Sequence, residues 1–232
     1  RKALKTKIEA VQKRLNDAVV ASQDPAAWRS DIDVLVRAVE LAVSQNLFFK
    51  AKQVDAAKRL LDEAERRIDA AASGKRGLEL LGFEVAKNDS PQPLVGGFVS
   101  RIDDSVQPYG LVVPAGFKLN EIETPHRMDV WLHGRGDTKT EIPFLIERMD
   151  KVGLYAPEDT FVLHPFGRHC NAFKFAGETD VYEAIGHAGD VFNVDPRRVT
   201  IRGFSMGGAG CWHFAVHDPT RWLAANPGAG FV

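Results

Sequence analysis

The stretch Val199-Thr200-Ile201-Arg202-Gly203-Phe204-Ser205-Met206-Gly207-Gly208 decides how this chain is read. A β-branched apolar run leads into a serine with a glycine two positions to either side, and residues 206–217 continue as a helix. A sharp strand-to-helix turn holds its central residue in a strained backbone conformation, and side chains two positions away would collide across it. Gly203 and Gly207 remove those side chains. The helix that follows aims its unpaired N–H groups and positive dipole end at the turn, where an oxyanion would be stabilised. Ser205 is therefore the candidate nucleophile, and the Met206 N–H is a candidate oxyanion donor.

Working back along the chain, Leu132-His133-Gly134-Arg135-Gly136-Asp137 directly follows a strand pattern over Arg127–Leu132. Acyl transfer needs a second backbone donor from an early strand-to-helix loop. The Arg135 N–H is the candidate. Gly134 and Gly136 let the backbone approach a substrate, and His133 is placed to brace the loop by hydrogen bonding. Between the two motifs, helical patterns over 141–152 and 178–192 alternate with a strand over Thr160–His164. Another strand starts within Trp222–Ala225. Runs over Gly97–Ile102 and Gln107–Val113 flank Asp103-Asp104-Ser105 as a hairpin. Alternation of this kind predicts an α/β fold with a mostly parallel sheet, opened by an antiparallel hairpin.

The region before it reads differently. Leu4, Ile8, Val11, Leu15 and Val19 share one helical face; so do Trp28, Ile32, Leu35, Val39 and Val43, and so do Val54, Ala57, Leu61, Ala64, Ile68 and Ala71. Asp24-Pro25 is expected to cap and begin the second helix. The expected organisation is an all-helical region over 1–76, a polar, proline-bearing linker over 77–94, and the sheet region over 95–232. Trp28, Leu47, Phe48 and Phe49 are costly to leave in water, which predicts that the helices dock on the sheet region.

Thirty Lys+Arg against 31 Asp+Glu give a net charge of −1, which offers no footprint for nucleic acid. No apolar run reaches the roughly 18 residues of a membrane span. Cys170 and Cys211 are too few for a disulfide framework or a cysteine zinc site, and they read as unrelated thiols or one bridge. No metal or cofactor is expected. A chain opening on Arg1 is expected to lack upstream residues, and its compartment stays open between extracytoplasmic and cytoplasmic.

From about residue 95 onward the chain resembles the prolyl-oligopeptidase-like and esterase-D-like branch of the α/β-hydrolases. The resemblance lies in the two motifs above together with Asp180-Val181 and Asp195-Pro196-Arg197-Arg198-Val199. It implies a serine hydrolase acting on a small-molecule ester or peptide, with Ser205 as nucleophile and the N–H groups of Arg135 and Met206 as oxyanion hole. Esters are the expected class, since no propeller-like repeats are present. In this superfamily an acid and a histidine follow the serine. The later candidates here are Asp218, His213 and His217, on or beside the helix that runs away from Ser205. The partners are therefore expected downstream, in the remainder of the same protein or a second chain. The alternative reading is a catalytically inactive binding or structural module on the same fold.

Overall fold

The computed structural model describes residues 2–231. Helices α1 (Lys2–Ala21), α2 (Arg29–Ser44) and α3 (Lys52–Ala72) form the N-terminal layer. They bury the stripes expected of them, with Val11, Ile32, Leu35, Val39, Ala57, Leu61 and Ala64 removed from solvent. The second helix starts later than Pro25. The Pro25 carbonyl accepts from the N–H groups of Trp28 and Arg29, making a turn, and the helix proper begins at Arg29.

The stretch over 77–94 carries α4 (Gly77–Leu81), a 3-10 turn at Val85–Lys87 and the first residues of β1 (Gln92–Val99). Leu78, Leu81, Phe83 and Leu94 join the main core. Strand β1 begins ahead of the expected Gly97 because Pro93 sits in an edge strand, where a missing N–H costs no ladder bond.

β1 pairs antiparallel with β2 (Val106–Val113) through the expected hairpin, with Asp104 at φ 55° in its turn. Strands β3 (His126–Leu132), β4 (Thr160–Pro165), β5 (Val194–Phe204) and β6 (Ala224–Gly228) follow, and the sheet order is β1-β2-β4-β3-β5-β6. β2 is antiparallel to both its neighbours, while β3–β4, β3–β5 and β5–β6 are parallel. Five strands thus run one way. This is the mostly parallel sheet opened by an antiparallel hairpin that the sequence predicts, with an all-helical region ahead of it.

Two cores flank the sheet, and alternate residues of one strand serve each. Leu94 enters the core with α6 (Ala176–Phe192) and α7 (Met206–His217). Its neighbour Val95 enters the core with α1, α2, α3 and α5 (Glu141–Asp150). Two glycines admit α2 against β1: a methyl on Gly97 would stand 2.5 Å from the Ser30 carbonyl oxygen, and one on Gly96 would stand 2.8 Å from Asp31 Oδ1. The Gly97 N–H donates to the buried Asp31 carboxyl (2.9 Å). Arg67, 1% exposed, donates to the carbonyls of Asp31 and Val95 and to Glu63. The helical layer is therefore fastened to the sheet by polar bonds beneath an apolar contact.

Candidate active site

In the parallel part of the sheet, the loops leaving β3, β4 and β5 emerge at one edge, where open α/β sheets gather their ligand-binding loops. Ser205 stands there between β5 and α7, at φ 57° and ψ −120°. For a non-glycine residue this backbone conformation costs on the order of 1–3 kcal/mol and persists only where its surroundings impose it. Several contacts impose it. The Ser205 N–H donates to the Gly228 carbonyl (2.9 Å), and its carbonyl accepts from the Ala209 N–H (3.0 Å). A methyl on Gly203 would lie 2.2 Å from the Gly207 carbonyl oxygen, and one on Gly207 would lie 2.0 Å from that of Leu132. A methyl on Gly208 would likewise lie 2.2 Å from the Gly228 carbonyl oxygen.

The loop after β3 lies alongside. The Cβ direction of Gly134 meets the Ser205 Cβ at 3.7 Å and the Phe204 carbonyl oxygen at 3.5 Å, so Gly134 and Ser205 are neighbours. Among the described residues the N–H groups of Arg135 and Met206 have no acceptor, whereas the Gly136 N–H is directed at the Cys170 sulfur (3.4 Å). The Arg135 guanidinium points to solvent and pairs with Asp137. His133 turns Nδ1 toward the Gly134 carbonyl (2.9 Å) and Nε2 toward that of Phe166 (3.0 Å). Burial holds its pKa below the ordinary histidine value despite those two carbonyls. A neutral ring carries one N–H, so only one of the two contacts is a hydrogen bond at a time.

The loop after β4, residues 166–175, completes this edge, and no sequence motif marks it. Phe173 wedges between the His133 ring (centroids 5.0 Å apart) and α7, its ring 2.9 Å from where a Gly210 methyl would stand. Gly167, Arg168, His169, Ala172, Phe173 and Phe175 all have positive φ, a pattern that the amino-acid types, Gly167 apart, do not announce.

None of the seven histidines hydrogen-bonds the Ser205 hydroxyl. His126 meets the Glu121 carbonyl and His169 that of Lys139; His164 faces Arg148. His213 stands 3.2 Å from Glu178, and His217 contacts the His213 carbonyl. His187 packs at a tilt against Tyr109, ring centroids 5.6 Å apart. Asp218 accepts from Tyr182 (3.4 Å) and from no histidine. Cys170 and Cys211 are unbridged. Among the described residues no group of acidic, histidine and cysteine side chains is arranged to hold a metal ion, and no helix is long and apolar enough to cross a membrane.

No family model and no curated protein sequence matches this chain. Among solved structures it is similar to a thermostable esterase, at 24% identity and a TM-score of 0.43, covering 61% of this chain and 42% of that one. It is also similar to the S-formylglutathione hydrolase FrmB of Staphylococcus aureus (18% identity, 61% of this chain, 58% of that one, TM-score 0.44). A third is oligopeptidase B from Trypanosoma brucei (17%, 65% and 22%, TM-score 0.43). The chain spans less than two thirds of each.

Proposed function

We propose that this chain carries the nucleophile and oxyanion-binding parts of a serine hydrolase acting on ester bonds, of the prolyl-oligopeptidase-like and esterase-D-like kind. The observation that carries the reading is the strained Ser205 between β5 and α7, with Gly203 and Gly207 in backbone contact beside it. In the proposed reaction the Ser205 hydroxyl oxygen attacks the substrate carbonyl. The charge that develops on the carbonyl oxygen is received by the N–H groups of Arg135 and Met206, the alcohol departs, and water then releases the acyl group from Ser205. His133 acts as a brace that keeps the oxyanion loop against the loop after β4.

The serine proton needs an acceptor, and none of the seven histidines here hydrogen-bonds the Ser205 hydroxyl. The base would therefore come from outside this chain. The same observation favours a second reading, an inactive module that keeps the fold for binding. A fluorophosphonate probe separates the two. Covalent labelling of the full-length native protein at Ser205, abolished by Ser205→Ala, supports the hydrolase; absence of labelling supports the inactive module.

A further inference from the structure

Lys174-Phe175-Ala176-Gly177 repeats the backbone of Phe204-Ser205-Met206-Gly207. Phe175 sits at φ 54° and ψ −125° at the start of α6, against φ 57° and ψ −120° for Ser205 at the start of α7. Two positions on, Gly177 plays the part of Gly207: a methyl there would lie 2.7 Å from the Gly167 carbonyl oxygen and 2.5 Å from the Asn171 side chain. The Phe175 carbonyl accepts from the N–H of Thr179, four residues on (3.3 Å), as that of Ser205 accepts from Ala209. The fold thus builds a second elbow, and what it displays is a phenyl ring.

That ring is not part of the core. Phe175 is 85% exposed, so it gains little from burial, and its backbone conformation is one that glycine adopts more easily. Its surroundings tie it to the Ser205 side of the sheet edge. On one side Ala172 and Phe173 lean on Gly210 of α7; on the other, Glu178 faces His213 of α7. Gly210 is five residues beyond Ser205, about 7.5 Å along a helix axis at 1.5 Å per residue. Phe204, the residue before the serine, is itself 58% exposed.

We propose that Phe175 is a specificity-determining residue of the Ser205 site, bordering its mouth and receiving a bulky apolar, aryl-type portion of the substrate. This rests on the hydrolase reading above. A planar, weakly hydrated face held rigidly at the rim discriminates by contact area with the substrate and leaves the chemistry at Ser205 untouched.

The test compares two fluorophosphonates on the full-length native protein, one with a methyl and one with a phenylalkyl group on phosphorus. Phe175→Ala should slow labelling by the phenylalkyl probe about tenfold while leaving the methyl probe within about twofold, and Phe175→Tyr should retain the wild-type ratio. Phe175→Gly should lose the same selectivity with a thermal midpoint no lower than that of the wild type. A wild-type protein that neither probe labels would remove the hydrolase reading and this inference with it. Labelling whose probe ratio ignores Phe175 would remove the inference alone, as would a Phe175→Gly protein that unfolds earlier, which would assign the ring a structural role.

Discussion

Gly207 and Leu132 meet through backbone alone, so close that a methyl group on Gly207 would stand 2.0 Å from the Leu132 carbonyl oxygen. That contact seats the start of α7 against the end of β3 and keeps the loop after β3 beside Ser205. Gly207→Ala should cost about 3 kcal/mol, since neither backbone can retreat without moving a sheet strand. Gly186, in α6, meets nothing within 4 Å, and Gly186→Ala should stabilise by about 0.5–1 kcal/mol. Denaturant midpoints of the two variants check the contrast. Equal tolerance at both positions would mean that the close approach is not real.

Arg67 links the helical layer to the sheet by donating to the Asp31 and Val95 carbonyls and to Glu63. Arg67→Ala would take this donor from two buried carbonyls and from Glu63, which keeps Arg66, a loss of about 3 kcal/mol. Lysine cannot reproduce the planar three-way donation, so Arg67→Lys should recover less than half of the loss. Limited proteolysis under native conditions should then release the N-terminal helices faster than from the wild type. Unchanged release rates would show that apolar packing alone holds them.

Much of this architecture was legible because it follows local periodicity. The stripes of α1, α2 and α3 and the alternation after residue 126 are short-range patterns, and the Ser205 turn declares itself through glycines whose missing side chains have a local cause. What stayed hidden is set by tertiary contact. The extension of β1 back to Gln92 depends on pairing with Val113, and the start of α2 at Arg29 depends on a turn closed at Pro25. The loop over 166–175 bends through positive φ at Arg168, Phe173 and Phe175, residue types that carry no turn signal. Its wedge, Phe173, reads from sequence as one more aromatic. Gly228, whose carbonyl fixes the Ser205 N–H, lies in the next strand and has no sequence mark tying it to the elbow.

Acid should destabilise the fold through histidines buried in neutral form. His164 lies in β4 facing Arg148, with Lys139 and His133 nearby, and burial together with those charges holds its pKa well below the usual value. Burial depresses His133 and His187 as well. When the folded pKa lies below the unfolded one, the unfolded chain takes up the proton first as pH falls below about 6.5. The contribution to stability is therefore complete above that pH and is lost progressively on acidification. Thermal midpoints measured from pH 7.5 to 5 should fall, and His164→Gln should flatten the decline. A slope that ignores His164 would assign the loss to other groups.

The last expectation concerns turnover by residues 1–232 alone. A serine hydroxyl without a base is a poor nucleophile near neutral pH, and here no histidine hydrogen-bonds Ser205. Hydrolysis of p-nitrophenyl acetate by this chain should therefore match that of its Ser205→Ala variant within about twofold, the residual oxyanion effect being small beside that of a complete triad. One ring deserves a direct control. His169 leaves β4 at the same sheet edge as Ser205, and only its Nδ1 is engaged, against the Lys139 carbonyl at 3.1 Å. If turnover depends on Ser205 after all, His169→Gln should abolish it, because a shift of the 166–175 loop could carry the other ring nitrogen toward the serine. Turnover that needs Ser205 but survives His169→Gln would leave His133 as the histidine at that edge, and would mean that its role as a brace is wrong.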